Sequence, residues 1–269
     1  MIQYFVADAF ADALFEGNPA GVCVLDRWLP PDTMRKIAME NNLSETGFVV
    51  KERDEPCTYA LRWFTPVDEI DLCGHCTFGT GYILFRFFEQ GQTEIHFDAL
   101  KCGHHLVVSR EGDTLTMAFP SLPPVRYEYS DYMGDGLGAA PSEVWRTERD
   151  LMLVYDSDET VRNLKPDFGK LKAFPVGTSV YVTARSSDPR YDIVARAFWP
   201  KLNIDEDPVC GSMHCTLVPY WRERLGKEKI ISRSLSRRGG TIACWQVGDT
   251  VYLSGHGAFY ARGELNVEA

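Results

Sequence analysis

Two copies of one short motif dominate the chain. Residues 72–77 read Leu-Cys-Gly-His-Cys-Thr, and residues 209–216 read Val-Cys-Gly-Ser-Met-His-Cys-Thr. An Arg-x-Phe-x-Pro segment precedes each copy and a Gly-Asp-Thr segment follows each copy. Corresponding prolines, first cysteines and glycines are separated by 134, 137 and 136 residues: Pro66 and Pro200, Cys73 and Cys210, Gly112 and Gly248. Three matches at nearly one offset indicate two related halves. A site shared by both copies is expected to lie between them.

The length of 269 residues agrees with this duplication, because a single hydrophobic core stops growing near that size. Glycine, proline and polar residues collect between Tyr127 and Asp150, which is typical of a connection. We therefore expect an N-terminal half over residues 1–128 and a C-terminal half over residues 129–269. The extreme C-terminus is able to pack back on the first half.

The charge of the chain excludes several classes of partner. A formal net charge of -10 argues against nucleic acid and against anionic membranes, which both select a dense basic surface. The sequence shows no signal-peptide pattern and no apolar run long enough to span a membrane. We expect a cytoplasmic protein, in which the eight cysteines are buried, metal-bound or catalytic thiols more often than disulfides.

Each Cys-Gly pair precedes a stretch with helical character. The residues that follow Cys76 are apolar nearly all round, which predicts a helix enclosed on every side by short strands. A second helix is predicted over 213–224, where Pro219 implies a kink or a late start. These patterns favour an α+β fold.

A helix that begins after each Cys-Gly pair would present unpaired backbone N–H groups and the positive end of its dipole, which suits a carboxylate or phosphate. Glycine permits close backbone approach at these positions, and a helix N-terminus lowers the pKa of a thiol. The side chains near the two motifs form a set suited to proton transfer: Cys73, His75, Asp207, Cys210 and Ser212. For Cys76 and Cys215, inside the helices, simple packing is the expected role.

A zinc site is an alternative that the cysteine spacing permits. Cys73 and Cys76 form a Cys-x-x-Cys pair, and Cys210 with His214 or Cys215 would supply further ligands. The glycines and the enclosed helix favour substrate binding over a metal, so no metal is expected.

Six motifs together resemble one known family, the phenazine biosynthesis PhzF-like proteins. They occur in the family's order over almost the whole chain: Gly17-Asn18-Pro19-Ala20, Leu43-Ser44-Glu45-Thr46, Phe64-Thr65-Pro66, Leu72-Cys73-Gly74-His75-Cys76-Thr77, Glu206-Asp207-Pro208-Val209-Cys210-Gly211-Ser212 and Ser236-Arg237-Arg238-Gly239-Gly240. The resemblance implies the diaminopimelate epimerase-like fold, with two pseudo-symmetric domains that are each a barrel-like sheet around a central helix. It also implies a cleft site and often a homodimer.

The resemblance further implies a cofactor-independent isomerase. Its catalytic acid/base would be Glu45, which the local pattern places in a helix-to-strand loop where a glutamate is ordinarily solvated. A moderately raised pKa would let one carboxylate take a proton from carbon and return it elsewhere on the same face. The remaining family roles concern substrate: His75, Asp207 and Ser212 would hold and polarise it, and Gly74 and Gly211 would bind its carboxylate.

Asn18 lies in the turn-forming segment 17–21 and is either a substrate contact or a turn residue that bonds its own backbone. In the second half, Thr178 or Ser179 stands near the place equivalent to Glu45, so a single half supplies the acid.

Two other functions remain open. Diaminopimelate epimerase, a remote relative, uses one thiol from each half, and Cys73 and Cys210 occupy similar Cys-Gly positions, so a two-thiol epimerase or racemase is the second hypothesis. A non-catalytic binding protein on the same fold is the third, because fold does not fix function. The joint presence of Glu45, His75 and Asp207 argues against it. The sequence indicates a small carboxylate as substrate without naming it.

Overall fold

A computed structural model describes residues 1–52 and 55–267 of the chain. The chain divides into two compact units: Met1–Ala118 together with the end of the chain from Ser254, and Phe119–Leu253. Each unit combines β-strands with a largely buried α-helix. Across the described part of the chain, every helix is too short or too polar to cross a bilayer.

The first unit contains two helices, α1 (Pro31–Asn41) and α2 (Gly74–Phe87). Its strands are β1 (Ile2–Ala9), β2 (Asn18–Leu25), β3 (Glu45–Lys51), β4 (Thr58–Phe64), β5 (Glu69–Ile70), β6 (Glu94–Ala99), β7 (His104–Glu111), β8 (Thr114–Pro120) and β18 (Gly257–Leu265). The antiparallel pairing of β1 with β18 joins the two ends of the chain in one sheet, which explains why the final segment belongs to this unit.

Helix α2 is buried on nearly all sides, as its apolar sequence predicts. It comes so close to β3 that a Cβ built on Gly47 would lie 2.8 Å from Thr80 Oγ1 and 3.1 Å from Cys76 Sγ. The buried hydroxyls of Thr77 and Thr80 donate at 2.7 Å to the carbonyls four residues earlier, so both are satisfied inside the helix.

Within the described chain, the second unit contains one 3-10 helix (Pro200–Leu202) and four α-helices: α3 (Asp131–Leu137), α4 (Asp158–Asn163), α5 (Phe168–Lys172) and α6 (His214–Leu225). Its strands are β9 (Val125–Arg126), β10 (Glu143–Arg146), β11 (Leu151–Val154), β12 (Val180–Arg185), β13 (Ile193–Trp199), β14 (Ile204–Asp207), β15 (Lys229–Ser234), β16 (Gly240–Val247) and β17 (Thr250–Gly255), the last of which runs into the final segment.

The boundary between the units lies at Ala118, ten residues before the expected end of the first half. The reason is that β9 pairs with β10 of the second unit. The glycine-rich segment that was expected to be a connection contains α3, and Met133 and Leu137 of this helix are fully buried in the second unit's core.

Helix α6 begins four residues after Cys210, whereas α2 begins directly after Cys73. A turn over Gly211–Met213 accounts for the late start, since His214 N–H donates to Gly211 O at 3.0 Å. Pro219 lies inside α6 and has no N–H for the carbonyl of Cys215. That carbonyl instead accepts from the backbone N–H of Leu122 at 2.8 Å, which lets the helix continue through the proline.

The strand pairings repeat between the units. The first unit has these pairings: β1–β2 antiparallel, β2–β3 parallel, β3–β4 antiparallel, β4–β5 antiparallel, β4–β6 parallel and β6–β7 antiparallel. The second unit repeats the same orientations in the same order, in the pairs β10–β11, β11–β12, β12–β13, β13–β14, β13–β15 and β15–β16. A bidentate pair recurs with them: Arg62 bonds Glu69 at 2.7 Å through both contacts, and Arg196 bonds Glu206 at 2.7 and 3.0 Å. The two halves are therefore one supersecondary plan used twice.

Candidate functional site

Glu45 is the first residue of β3, where it lies opposite Ala20 of β2. Its side chain is buried and the residue is 6% exposed. The expectation of a loop position, in which such a glutamate would be solvated, is therefore wrong. Helix α1 ends at Asn41, the left-handed Asn42 turns the chain, and pairing with β2 extends the backbone from Glu45 onward. The fold thus places a carboxylate where solvent is largely excluded.

His75, in the first turn of α2, approaches this carboxylate. Its Nε2 lies 3.1 Å from Glu45 Oε2 and 3.4 Å from Ser44 Oγ, while its Nδ1 lies 3.6 Å from Cys73 Sγ. The contact with Glu45 has the distance of an ion pair, but Oε2 receives no hydrogen bond within the described residues. A buried carboxylate oxygen thus retains an open acceptor position, which is uncommon in a folded protein.

The pKa values of these three groups are coupled. Burial raises the pKa of Glu45, but the adjacent His75 outweighs it, with smaller contributions from Ser44 and Cys73, and the net shift is downward. Burial by itself would lower the pKa of His75, but Cys73 and Glu45 raise it well above its usual value. Burial raises the pKa of the Cys73 thiol well above its usual value. These directions favour a carboxylate beside an imidazolium, so the expected moderately raised pKa of Glu45 is wrong.

The N-terminus of α2 lies beside this group. The first backbone hydrogen bond of α2 joins the N–H of Thr77 to the carbonyl of Cys73, at 3.1 Å. The N–H groups of Gly74, His75 and Cys76 therefore have no partner inside the helix, and no side chain caps them. Together with the helix dipole, these groups suit a carboxylate.

The second copy of the motif is organised in a similar way. The carbonyl of Cys210 accepts from Nδ1 of His214 at 2.9 Å, and the carbonyl of Cys73 accepts from the Thr77 hydroxyl, so the residue four positions after the cysteine closes the turn in both copies. Burial, with the charge of Asp207 second, raises the pKa of Cys210 well above its usual value. Ser212 Oγ lies 3.5 Å from Cys210 Sγ.

The remaining predicted residues have clear positions in their own units. Asp207 ends β14, opposite Ala197 of β13. Gly211 begins the turn that precedes α6. Asn18 begins β2 opposite Ala9 and is fully buried, so it is a strand residue of the first unit.

Strand register identifies Ser179 as the counterpart of Glu45. Val180 lies opposite Phe198, as Thr46 lies opposite Phe64. Ser179 directly precedes Val180, and Glu45 directly precedes Thr46. Of the two residues expected near this place, Ser179 is the equivalent one. The second unit therefore has a hydroxyl where the first has a carboxylate.

A carboxylate missed at the sequence level lies beside this hydroxyl. Asp150, which is 1% exposed, accepts from Ser179 Oγ at 2.7 Å, from Tyr181 OH at 2.9 Å and from Arg149 Nε at 2.8 Å. The available signal was an Arg-Asp pair directly before the apolar strand β11, a position at which a charge becomes buried.

Three groups of the first unit also have a composition that suits a metal ion. Ligand atoms of Glu45, Cys73 and His75 lie within 4.8 Å of one another. This oxygen, sulfur and nitrogen set is one that zinc accepts. It differs from the alternative considered from sequence, in which Cys73 and Cys76 would share the ion. Burial lowers the pKa of His214 to about 4, which leaves this imidazole neutral. Its Nδ1 hydrogen already bonds the Cys210 carbonyl, so Nδ1 is not available as a metal ligand.

Comparison with known proteins gives matches over almost the full length. A family model described as "phenazine biosynthesis-like protein" matches residues 7–263. An uncharacterized isomerase of Pseudomonas aeruginosa is 44% identical over 266 residues, with 99% of each chain covered. The crystal structure of a phenazine biosynthesis PhzF-family protein from Enterococcus faecalis aligns with a TM-score of 0.94 at 41% identity, with 99% of each chain covered.

A more distant solved structure shows how widely the fold occurs. A hydroxyproline epimerase from Agrobacterium vitis, with bound trans-4-hydroxy-L-proline, aligns with a TM-score of 0.60 at 12% identity, covering 98% of this chain and 90% of its own. Likeness at this identity shows the fold alone. The predicted α+β, diaminopimelate epimerase-like fold is confirmed.

Proposed function

Because the chain belongs to the phenazine biosynthesis-like protein family, we propose that it is an isomerase that moves a proton within a small carboxylic acid through Glu45, without a cofactor. The full-length similarity to a protein named as an isomerase and the epimerase-like fold support the reaction class. The role of Glu45 and the carboxylate substrate rest on the geometry of the first unit.

The observation that carries the proposal is the state of Glu45. Its side chain is buried, its Oε2 lies 3.1 Å from His75 Nε2 with no well-formed hydrogen bond, and the adjacent imidazole lowers its pKa, which favours the ionised form. A carboxylate that only stabilised the fold would be expected to have both oxygens hydrogen-bonded. An ionised carboxylate with an oxygen that lacks a well-formed hydrogen bond, in a dry environment, can accept a proton from carbon.

The proton transfer then has two steps. In the first, a C–H bond of the substrate breaks, the proton passes to Glu45 Oε2, and the electron pair enters the substrate's conjugated or carbonyl system. In the second, the same oxygen returns the proton to another carbon on the same face, and Glu45 is again ionised. The lowered pKa makes Glu45 a modest base but a strong acid for the second step.

The charged His75 next to Glu45 can also polarise the substrate, and the open N–H groups of α2 from Gly74 can hold a substrate carboxylate. By their positions in the family motifs, Asn18, Asp207, Gly211 and Ser212 are further proposed substrate contacts. We also propose a homodimer, which light scattering of the purified protein would test.

The second candidate function is a two-thiol epimerase that uses Cys73 and Cys210. The observation in its favour is the 3.6 Å contact between Cys73 Sγ and His75 Nδ1, because a histidine can accept the proton of a thiol. Burial raises the pKa of both thiols, however, so neither is poised as a thiolate base. Glu45 is already ionised, and it is therefore the preferred base.

Deuterium uptake from heavy water into a panel of small carboxylic and amino acids, followed by mass spectrometry, tests the proposal. Native protein is compared with Glu45→Gln and with the double variant Cys73→Ser/Cys210→Ser. Glu52→Gln, an exposed glutamate just past β3, and Cys102→Ser, a partly exposed cysteine, are the matched controls.

We expect uptake that is lost in Glu45→Gln and retained in the double serine variant and in both controls. Uptake that requires the two cysteines and survives Glu45→Gln would replace the proposal by the epimerase. No uptake on any acid, with tight binding of one of them, would favour a binding protein.

A further inference from the structure

A second group of metal-ligating side chains lies on the outer face of the first unit, on β6 and β7. Along β6, Ile95, Phe97 and Ala99 are buried, so Glu94, His96 and Asp98 lie on the opposite face. Asp98 pairs directly with His105 of β7. The diagonal neighbours His96 and His105 then meet, with His96 Nδ1 at 3.1 Å from His105 Nε2.

Asp98 determines which nitrogen of His105 carries a hydrogen. Its Oδ1 lies 2.8 Å from His105 Nδ1, and a carboxylate only accepts, so Nδ1 is the donor. Nε2 of His105 is therefore the nitrogen that can accept a hydrogen bond from His96 Nδ1 or bind a metal ion. A carboxylate that holds the far nitrogen of a histidine is the usual arrangement behind a metal-binding imidazole.

The distance between the two facing nitrogens fits a shared metal ion. With metal–nitrogen distances of about 2.0–2.1 Å, a separation of 3.1 Å subtends roughly 95–100° at the metal, between square-planar and tetrahedral coordination. The Glu94 carboxylate, 3.8 Å from His96 Nε2, adds negative charge and favours a cation on this face. His96 and His105 are partly and largely exposed, so an ion can enter and water can complete its coordination.

We propose that His96 and His105 form a binding site for a divalent transition-metal ion, in which Asp98 orients His105. The site is separate from the proposed proton-transfer group, because its ligands are on β6 and β7 and it includes none of Glu45, Cys73 and His75. Imidazole ligands select Ni²⁺, Cu²⁺ and Zn²⁺ over Mg²⁺ and Ca²⁺.

Calorimetric titration of untagged protein with Ni²⁺ at pH 7.5 tests the site. Ni²⁺ avoids the thiol oxidation that Cu²⁺ causes. We expect one ion per chain, at least a tenfold loss of affinity in His96→Gln and in His105→Gln, and a loss of about tenfold in Asp98→Asn through the orientation of His105.

His104→Gln is the matched control, because His104 is exposed and adjacent in sequence but points to the other face of β7. Cys73→Ser distinguishes the site from the group at Glu45. Unchanged affinity in both variants is the expected result. Absence of Ni²⁺ binding, or a loss in His104→Gln equal to that in His105→Gln, would show that the two histidines share only a hydrogen bond. A loss of Ni²⁺ affinity in Cys73→Ser would show that the ion binds at the Glu45 group and would refute the proposal.

Discussion

Removal of the His75 charge should destabilise the protein by an amount that depends on pH. In His75→Gln the buried Glu45 loses its ion-pair partner at 3.1 Å. At an effective dielectric constant of about 20, such a pair is worth roughly 5 kcal/mol, and breaking a buried pair typically costs 3–5 kcal/mol. The variant can avoid part of this loss by protonating Glu45. From the ordinary pKa of 4.5, protonation at pH 7 costs about 3.4 kcal/mol, which limits the cost of burying an unpaired Glu45 in the variant.

The direction of the pH dependence follows from the lowered pKa of Glu45 and the raised pKa of His75. The lowered pKa of Glu45 contributes stability that is present above its unfolded value and is lost as pH falls through the folded value. The raised pKa of His75 contributes stability that is present below 6.5 and is lost as pH rises through the folded value. The wild-type pair is therefore fully effective between about pH 4.5 and 6.5. In His75→Gln, the destabilisation should shrink as pH falls toward 4.5, because protonation of Glu45 then costs little.

Urea unfolding followed by tryptophan fluorescence, at pH 7 and pH 5, measures this loss as a change in midpoint at constant m-value. The double variant Glu45→Gln/His75→Gln has no buried charge at this place, so it should be more stable at pH 7 than His75→Gln alone. A loss that is equal at both pH values, or a double variant that recovers no stability, would refute the assignment of an ionised Glu45.

Three further substitutions test the packing that positions the site. Asp150→Asn should destabilise the second unit by about 2–4 kcal/mol, measured by urea unfolding, because it removes the charge that binds an arginine and two hydroxyls. Gly47→Ala should cost about 1–3 kcal/mol in the same assay, since the new methyl group would overlap α2, while Gly91→Ala, with open space around it, should change little. Pro219→Ala should change the thermal midpoint by only a few degrees, because the carbonyl that the new N–H would bond already accepts from Leu122. A gain near 3 kcal/mol would contradict that account.

The duplication and the enclosed helices could be predicted because both are local or periodic in sequence. The motif around Cys73 recurs at a nearly constant offset, and the all-round apolar run after it has one structural meaning, a buried helix. The end of the first unit could not be found in this way. It depends on the pairing of β9 with β10, and on Met133 and Leu137 within a segment whose glycines resemble a linker.

The chemistry of Glu45 was harder to predict than its identity. Its position in the motif marked it as a candidate, but its burial depends on pairing with Ala20, and its pKa depends on His75, thirty residues away. A raised pKa follows from burial alone, and the observed lowering follows once the imidazole is known to be adjacent. Sequence patterns identify such residue types, whereas the sign of a pKa shift depends on three-dimensional neighbours.

The repeated plan makes the difference between Glu45 and Ser179 informative. The two residues occupy the same place on β3 and β12, yet the second unit has its carboxylate, Asp150, at the neighbouring position on the chain segment that leads into β11. Both oxygens of Asp150 are hydrogen-bonded, and Arg149 balances its charge. The three bonds and the adjacent guanidinium hold this carboxylate in place, so it is suited to a structural role. Glu45 has one oxygen free of hydrogen bonds and a partner that is itself a titratable imidazole. In the proposed mechanism the first unit therefore has a proton carrier where the second has a fixed anion, and only the first is predicted to exchange a proton with substrate.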